Sequence, residues 1–118
     1  MTWGGDLMPY VVGVAVVYGV FWAIRRARQT SPKQARLLVD TGALLLDVRT
    51  PAEFEAGHLP GAINLPLPKL TANPAAVGDP QRPVVVYCAS GTRSAVASTV
   101  LRRVGFAQVA DLGSMSRW

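Results

Sequence analysis

The chain holds one cysteine, Cys88, and its neighbours make it the residue best placed for chemistry. It opens the run Cys88-Ala89-Ser90-Gly91-Thr92-Arg93-Ser94, which joins an apolar, β-branched stretch to a helical pattern. A tight turn there directs several backbone N–H groups inward, and the helix adds the positive end of its dipole. Gly91 permits backbone angles that a side chain resists. Arg93 brings a full charge, from the rim or from within the loop. Together these favour a thiolate over a thiol at Cys88, and the same cradle would hold an anionic substrate. The competing reading is a small buried hydrophobe, the commonest fate of a free cysteine. The position at a strand end, opening a glycine-containing loop, favours a displayed nucleophile. A single cysteine excludes an intramolecular disulfide. It suits a reducing compartment, and any oxidised form needs an outside thiol to resolve it.

The elements that must hold this loop follow from pattern. Pro83-Val-Val-Val-Tyr87 is the strongest strand signal, being β-branched, apolar and preceded by a proline break. From about Arg93 to Val104 the pattern is helical, with Val96, Val100 and Val104 on one face and Gly105 as the stop. Leu44 to Val48 is a short apolar run suited to a strand buried on both faces. Ser31-Pro32-Lys33-Gln34 predicts a helix start, with Ser31 as N-cap and Gln34 completing a capping box; that helix runs to about Val39 and ends at Thr41-Gly42. Thr50-Pro51-Ala52-Glu53 repeats the pattern for a short helix that Gly57 stops. Ile63 to Leu65 predicts a brief strand. Pro66, Pro68 and Pro74 predict an irregular stretch with one short helix, and Gln108 to Asp111 a weak last strand. Alternating strands and helices imply an α/β fold, a parallel sheet flanked by helices on both faces. Sites in such sheets form at the carboxyl ends of strands, so Asp47 and Cys88 are expected along one edge.

Three motifs in order resemble the rhodanese homology domain: Leu45-Leu46-Asp47-Val48-Arg49; Glu53-Phe54 followed by Gly57-His58-Leu59-Pro60-Gly61-Ala62-Ile63-Asn64; and Cys88 with Gly91, Arg93 and Ser94. The resemblance covers about Ser31 to Trp118. It implies that Cys88 accepts sulfane sulfur as a persulfide and passes it to a nucleophile, with Ala89, Ser90, Gly91, Thr92 and Arg93 as the cradle. The donor would be a small sulfur-containing anion such as thiosulfate, and no metal or organic cofactor is implied. Related phosphatases carry five residues between cysteine and arginine, whereas Ala89 to Thr92 are four. The smaller cradle fits sulfur better than a phosphoryl group, which disfavours a phosphatase or arsenate reductase. A second alternative is a binding or sensor module that kept the fold without the chemistry; the intact loop weighs against it.

Other residues on the edge read as supports. Asp47 and Arg49 are expected to be mainly structural, with Arg49 close enough to pair with Glu53 and Asp47 accepting backbone hydrogen bonds; Ser94 supports the loop. His58 lacks a second histidine or a cysteine nearby in sequence and reads as architectural. Thiolate attack on sulfane sulfur needs little proton transfer, so no general base is required. The chain departs from the family where Gly113 is followed by Ser114 rather than a second glycine, and where it stops at Trp118. Ser114 is tolerable only if it avoids positive φ, and the last turn is expected to fray.

The N-terminal part is of another kind. Leu7 to Ile24 contains no charge, and as a helix it would measure about 27 Å against a hydrocarbon thickness of about 30 Å. A cleaved signal peptide would need basic residues before the apolar run, and Met1 to Asp6 holds none. The reading is a transmembrane helix at 7–24 between a short extracytoplasmic segment at 1–6, where Asp6 stays among headgroups, and a basic connector at 25–30, with Trp3 and Trp22 bracketing the run. The rhodanese-like domain then occupies 31–118. Arg25, Arg26 and Arg28 place the domain on the cytoplasmic side and Met1 outside, in a single-pass protein of a bacterial inner membrane. Ala15, Gly19 and Ala23 line small side chains on one face, as in a homodimer or a contact with a membrane partner protein, although small residues are common in spans. The net charge of +5 is no sign of nucleic acid. Three of the charges adjoin the apolar run, and no aromatic residues interleave the rest.

Overall fold

The structure is a computed structural model that describes the backbone of residues 3–118 and the side chains of residues 7–24 and 28–118. The expectations for Met1, and for the side chains of Trp3, Asp6, Arg25 and Arg26, lie outside the described residues. Helix α1 (Trp3–Arg28) is followed by α2 (Pro32–Asp40), β1 (Leu44–Asp47), α3 (Pro51–Ala56), β2 (Ile63–Asn64) and α4 (Leu67–Ala72). A 3-10 turn at Pro74–Val77, then β3 (Val84–Cys88), α5 (Thr92–Arg103), β4 (Val109–Ser114) and a last 3-10 turn at Met115–Arg117 complete the chain. The strands form one sheet in the order β2-β1-β3-β4, all parallel.

Alternation along β3 divides the core in two. Val84, Val86 and Cys88 face Ala97 and Leu101 of α5 and Leu70 of α4. Val85 and Tyr87 face Ala35 of α2, with Leu45, Ala110 and Leu112. Helices therefore cover both faces, and β3, at the sheet centre, is buried throughout. Thr50 and Glu53 make the expected reciprocal capping box, whereas at α2 only half of one forms: Ser31 Oγ accepts the Gln34 N–H (3.2 Å), with no return bond from the Gln34 side chain.

Two expectations are corrected here. The buried face of α5 is Ser94, Ala97, Ser98 and Leu101, while Val96 and Val104 are exposed. Those four positions follow the i, i+3, i+4, i+7 spacing of a packed helix face. Small side chains let α5 lie close on the sheet, so size outweighs apolarity. Strand β4 also extends to Ser114, beyond the expected Asp111. Its register shifts between Val86 and Tyr87, which pair with Asp111 and Gly113, leaving Leu112 as an extra residue that breaks the period of two.

Gly113 takes the positive φ (+84°), so Ser114 is unstrained at φ −73°. A Cβ at Gly113 would come within 2.5 Å of the Gln29 side chain. The last turn is formed rather than frayed: Trp118 N–H donates to Met115 O (3.2 Å), and the Arg36 guanidinium lies 5.5 Å above the Trp118 ring.

Helix α1 runs through Arg28, so most of the basic connector is helical, as Arg and Ala favour. None of Leu7–Ile24 is buried. The chain is fastened where it leaves α1, by the Thr30 N–H donating to Asp111 O of β4 (2.7 Å).

Candidate active site

Strand β3 ends at Cys88 and α5 begins at Thr92, so three residues, Ala89 to Gly91, turn the chain back over the sulfur. Gly91 sits at the N-cap of α5 in the left-handed region, φ +97°, and this turns its N–H inward. That N–H donates to Cys88 Sγ at 2.9 Å. The Ser94 N–H, in the first turn of α5, lies 3.4 Å from the same atom. Two backbone donors and a helix N-terminus thus converge on one sulfur, which stabilises negative charge there. The side chain is fully buried, packed in the apolar cluster on the α5 face of the sheet, with its sulfur turned to these two amides. Ala89, Ser90 and Thr92 are exposed, so solvent meets the loop before it meets the sulfur.

Gly91→Ala is expected to lower stability by about 1–2 kcal/mol, the cost of a left-handed non-glycine residue, and to move an N–H away from the sulfur. Chemical denaturation together with the rate of Cys88 alkylation checks both. Wild-type behaviour in each would show that the loop tolerates other backbone angles.

The loop is held from both ends. Ser94 Oγ donates to Gly91 O (3.1 Å), and Ser114 Oγ donates to Ala89 O (2.6 Å). The longer β4 brings Ser114 beside Cys88 in register, so the residue that departs from the family pattern fastens the cradle. No local signal in the sequence assigns it this role.

Arg93 turns from the sulfur toward α3, where its guanidinium makes a two-pronged pair with Glu53, Nη1–Oε1 2.6 Å and Nη2–Oε2 3.0 Å. This corrects the expected Arg49–Glu53 pair. Arg49 instead pairs with Asp47 (2.8 Å) in the interior, and donates to Gly57 O (2.6 Å). The reason is geometric: Asp47 is two residues from Arg49 and fully buried, so the nearer carboxylate takes the charge. Asn64 Nδ2 donates to Asp47 O and Arg49 O (3.1 and 3.0 Å), fixing the same turn. Tyr87 Oη accepts the Leu59 N–H (3.1 Å), and its phenol is pushed above its ordinary range by burial and then by Asp47. Among the described residues, the hydrogen bonds of Asp47 and Arg49 reach no residue of 88–94. His58 stacks on Phe54 at 3.7 Å, and its Nδ1 lies 2.8 Å from Phe54 O.

Arg93 first, then the Thr50 backbone N–H, hold the Glu53 carboxyl down at about 2, below its ordinary 4.5. A carboxyl depressed by folding adds stability above its unfolded value and loses it as the pH falls through its folded one. The Glu53–Arg93 contribution is therefore complete above 4.5 and disappears between there and about 2. Glu53→Gln is expected to be less stable than the parent at neutral pH, with the gap closing as pH falls across that window. Paired melting curves measure it, and a gap constant with pH would remove the ion pair as its source.

The fold is a parallel α/β sheet with a buried cysteine at a strand–loop–helix turn, its sulfur accepting from two backbone N–H groups. The chain belongs to the rhodanese-like domain family: residues 31–118 match the family profile described as Rhodanese-like domain. It is 37% identical over 90 residues to a protein named Sulfurtransferase from Allochromatium vinosum, covering 75% of this chain and 83% of that one. It is 34% identical over 92 residues to Thiosulfate sulfurtransferase GlpE of Pseudomonas syringae, covering 77% and 86%. A 39% match to the uncharacterized protein YqhL of Bacillus subtilis spans 64% of this chain and 60% of that protein. Among solved structures, the human single-domain sulfurtransferase TSTD1 superposes with a TM-score of 0.68 at 28% identity, over 77% of this chain and 94% of that one.

Proposed function

We propose that the chain is a membrane-anchored sulfurtransferase in which Cys88 carries sulfane sulfur. The observation that carries this reading is the sulfur of Cys88 facing two backbone donors, Gly91 and Ser94. Relatives named thiosulfate sulfurtransferase support it. In the first half-reaction the Cys88 thiolate attacks the outer sulfur of thiosulfate. A new S–S bond forms, the S–S bond of thiosulfate breaks, and its electron pair leaves with sulfite. The outer sulfur of the resulting persulfide carries the charge, inside the ring of Ala89 to Arg93. In the second, a nucleophile such as cyanide, a thiol or a partner protein takes that sulfur and returns the Cys88 thiolate. Neither half needs a proton to move between side chains. Ser94 closes the ring, and Asp47 and Arg49 support the sheet edge beneath it. Because Cys88 is covered, the loop must open for the donor to enter, and opening it at Ala89 means releasing the Ser114 hydroxyl from Ala89 O.

The uncharged run of α1 supports anchoring in a bilayer, with the rhodanese-like domain on the cytoplasmic face and Arg28 at the boundary. The test is mass spectrometry of the chain in detergent after exposure to thiosulfate. One added sulfur atom, released by cyanide, is the expected result. Hydrolysis of an aryl phosphate without sulfur uptake would replace the reading with a phosphatase, and neither reaction would leave a binding module.

A further inference from the structure

We propose that the cleft between the end of α1 and the outer face of α5 is a site for one anionic phospholipid. This rests on the membrane-anchored reading. The cleft has a volume of about 330 Å³. Its apolar wall is Phe21 and Ile24 of α1 facing Val96 of α5, and all three side chains are exposed. Two guanidinium groups, Arg28 and Arg102, line the same cleft. Arg102 is anchored by donating from Nη2 to Val109 O (3.0 Å).

Depth along α1 decides which ligand suits it. Ile24 ends the uncharged run, and Arg28 follows one turn later, about 6 Å along the axis. The apolar wall therefore stands at the hydrocarbon edge and the arginines at headgroup level. A phosphodiester held by Arg28 and Arg102, its acyl chains along Phe21, Ile24 and Val96, matches both chemistries at once. Free phosphate would use only the charges. Asp111 also lines the cleft, where its Oδ1 accepts the Gly113 N–H (2.9 Å). Among the described residues that line the cleft, one carboxylate stands against two guanidinium groups, so a lipid with a net negative head is preferred over a zwitterionic one. Thr92 belongs both to this cleft and to the Cys88 loop, which places the lipid against the wall of the cradle.

The full chain in detergent micelles is titrated with phosphatidylglycerol and phosphatidylcholine of matched acyl chains and read by native mass spectrometry. The expected result is preferential retention of phosphatidylglycerol, weakened about five-fold by Arg102→Ala and also by Val96→Asp at an exposed position, but unchanged by Lys33→Ala outside the cleft. Equal retention of the two lipids, equal loss in the Arg102 and Lys33 variants, or displacement by millimolar inorganic phosphate overturns the proposal. Alkaline carbonate extraction of vesicles carrying the chain separates the two readings. A chain that stays with the vesicles but shows no lipid preference sinks the lipid site alone, and a chain that washes off sinks the anchor with it.

Discussion

Cys88→Ser is expected to take up no sulfur from thiosulfate and to lose thiosulfate–cyanide turnover by a factor on the order of 10⁶, the scale seen when a covalent nucleophile is removed. The substitution changes one atom in a fully buried side chain, and an oxygen there can accept the same N–H groups of Gly91 and Ser94. Folding should survive. What disappears is the nucleophile: a serine hydroxyl stays protonated at neutral pH, whereas a thiol is the softer and more easily ionised group. Oxygen also cannot carry sulfane sulfur as a persulfide. The measurement pairs intact mass after thiosulfate with thiocyanate formation, and an unchanged melting temperature serves as the control. Sulfur uptake in the variant would move the carrier away from position 88 and end the mechanism, since no other cysteine exists in the chain.

That the cysteine loop is legible in the sequence, and its fastening is not, has a physical cause. The strand ending at Cys88, the glycine turn and the helix after it are local events, set by β-branching, by backbone freedom at Gly91 and by the start of a helical pattern. The same holds for the Thr50–Glu53 capping box, whose partners are three residues apart. The ties across the sheet depend on register instead. Glu53 meets Arg93 forty residues away because α3 and the start of α5 gather at the same sheet edge. Ser114 reaches Ala89 O from a place beside Cys88, where the extra residue in β4 holds it one position short of Ala89. Nor does apolarity alone reveal the face of α5, where Ala97 and Ser98 are buried and Val96 is left exposed.

The largest stability effect is expected at the other strand end, from Asp47→Ala. Arg49 is only 6% exposed and holds its charge against Asp47 through three side-chain bonds of 2.8–3.2 Å. The pairing raises the guanidinium above its ordinary value, chiefly through the Asp47 hydrogen bond, so Arg49 does not escape by losing its proton. Removing the carboxylate leaves a buried cation with the Gly57 carbonyl and the Tyr87 ring for company. Breaking one side of such a pair costs about 3–5 kcal/mol, against a total of about 5–15 kcal/mol for a domain. At this size the variant should be partly unfolded at physiological temperature. Asp47→Ala with Arg49→Met removes both charges and should recover most of the loss, because an apolar pair of similar volume substitutes well for a buried ion pair. Urea titration of the four members of this cycle measures the coupling. If the single and double variants prove equally unstable, the carboxylate acts through the Arg49 backbone N–H it accepts at 2.8 Å rather than through the guanidinium. If the double variant recovers its fold and still takes up sulfur on Cys88, the pair is a support of the sheet edge and has no part in the transfer.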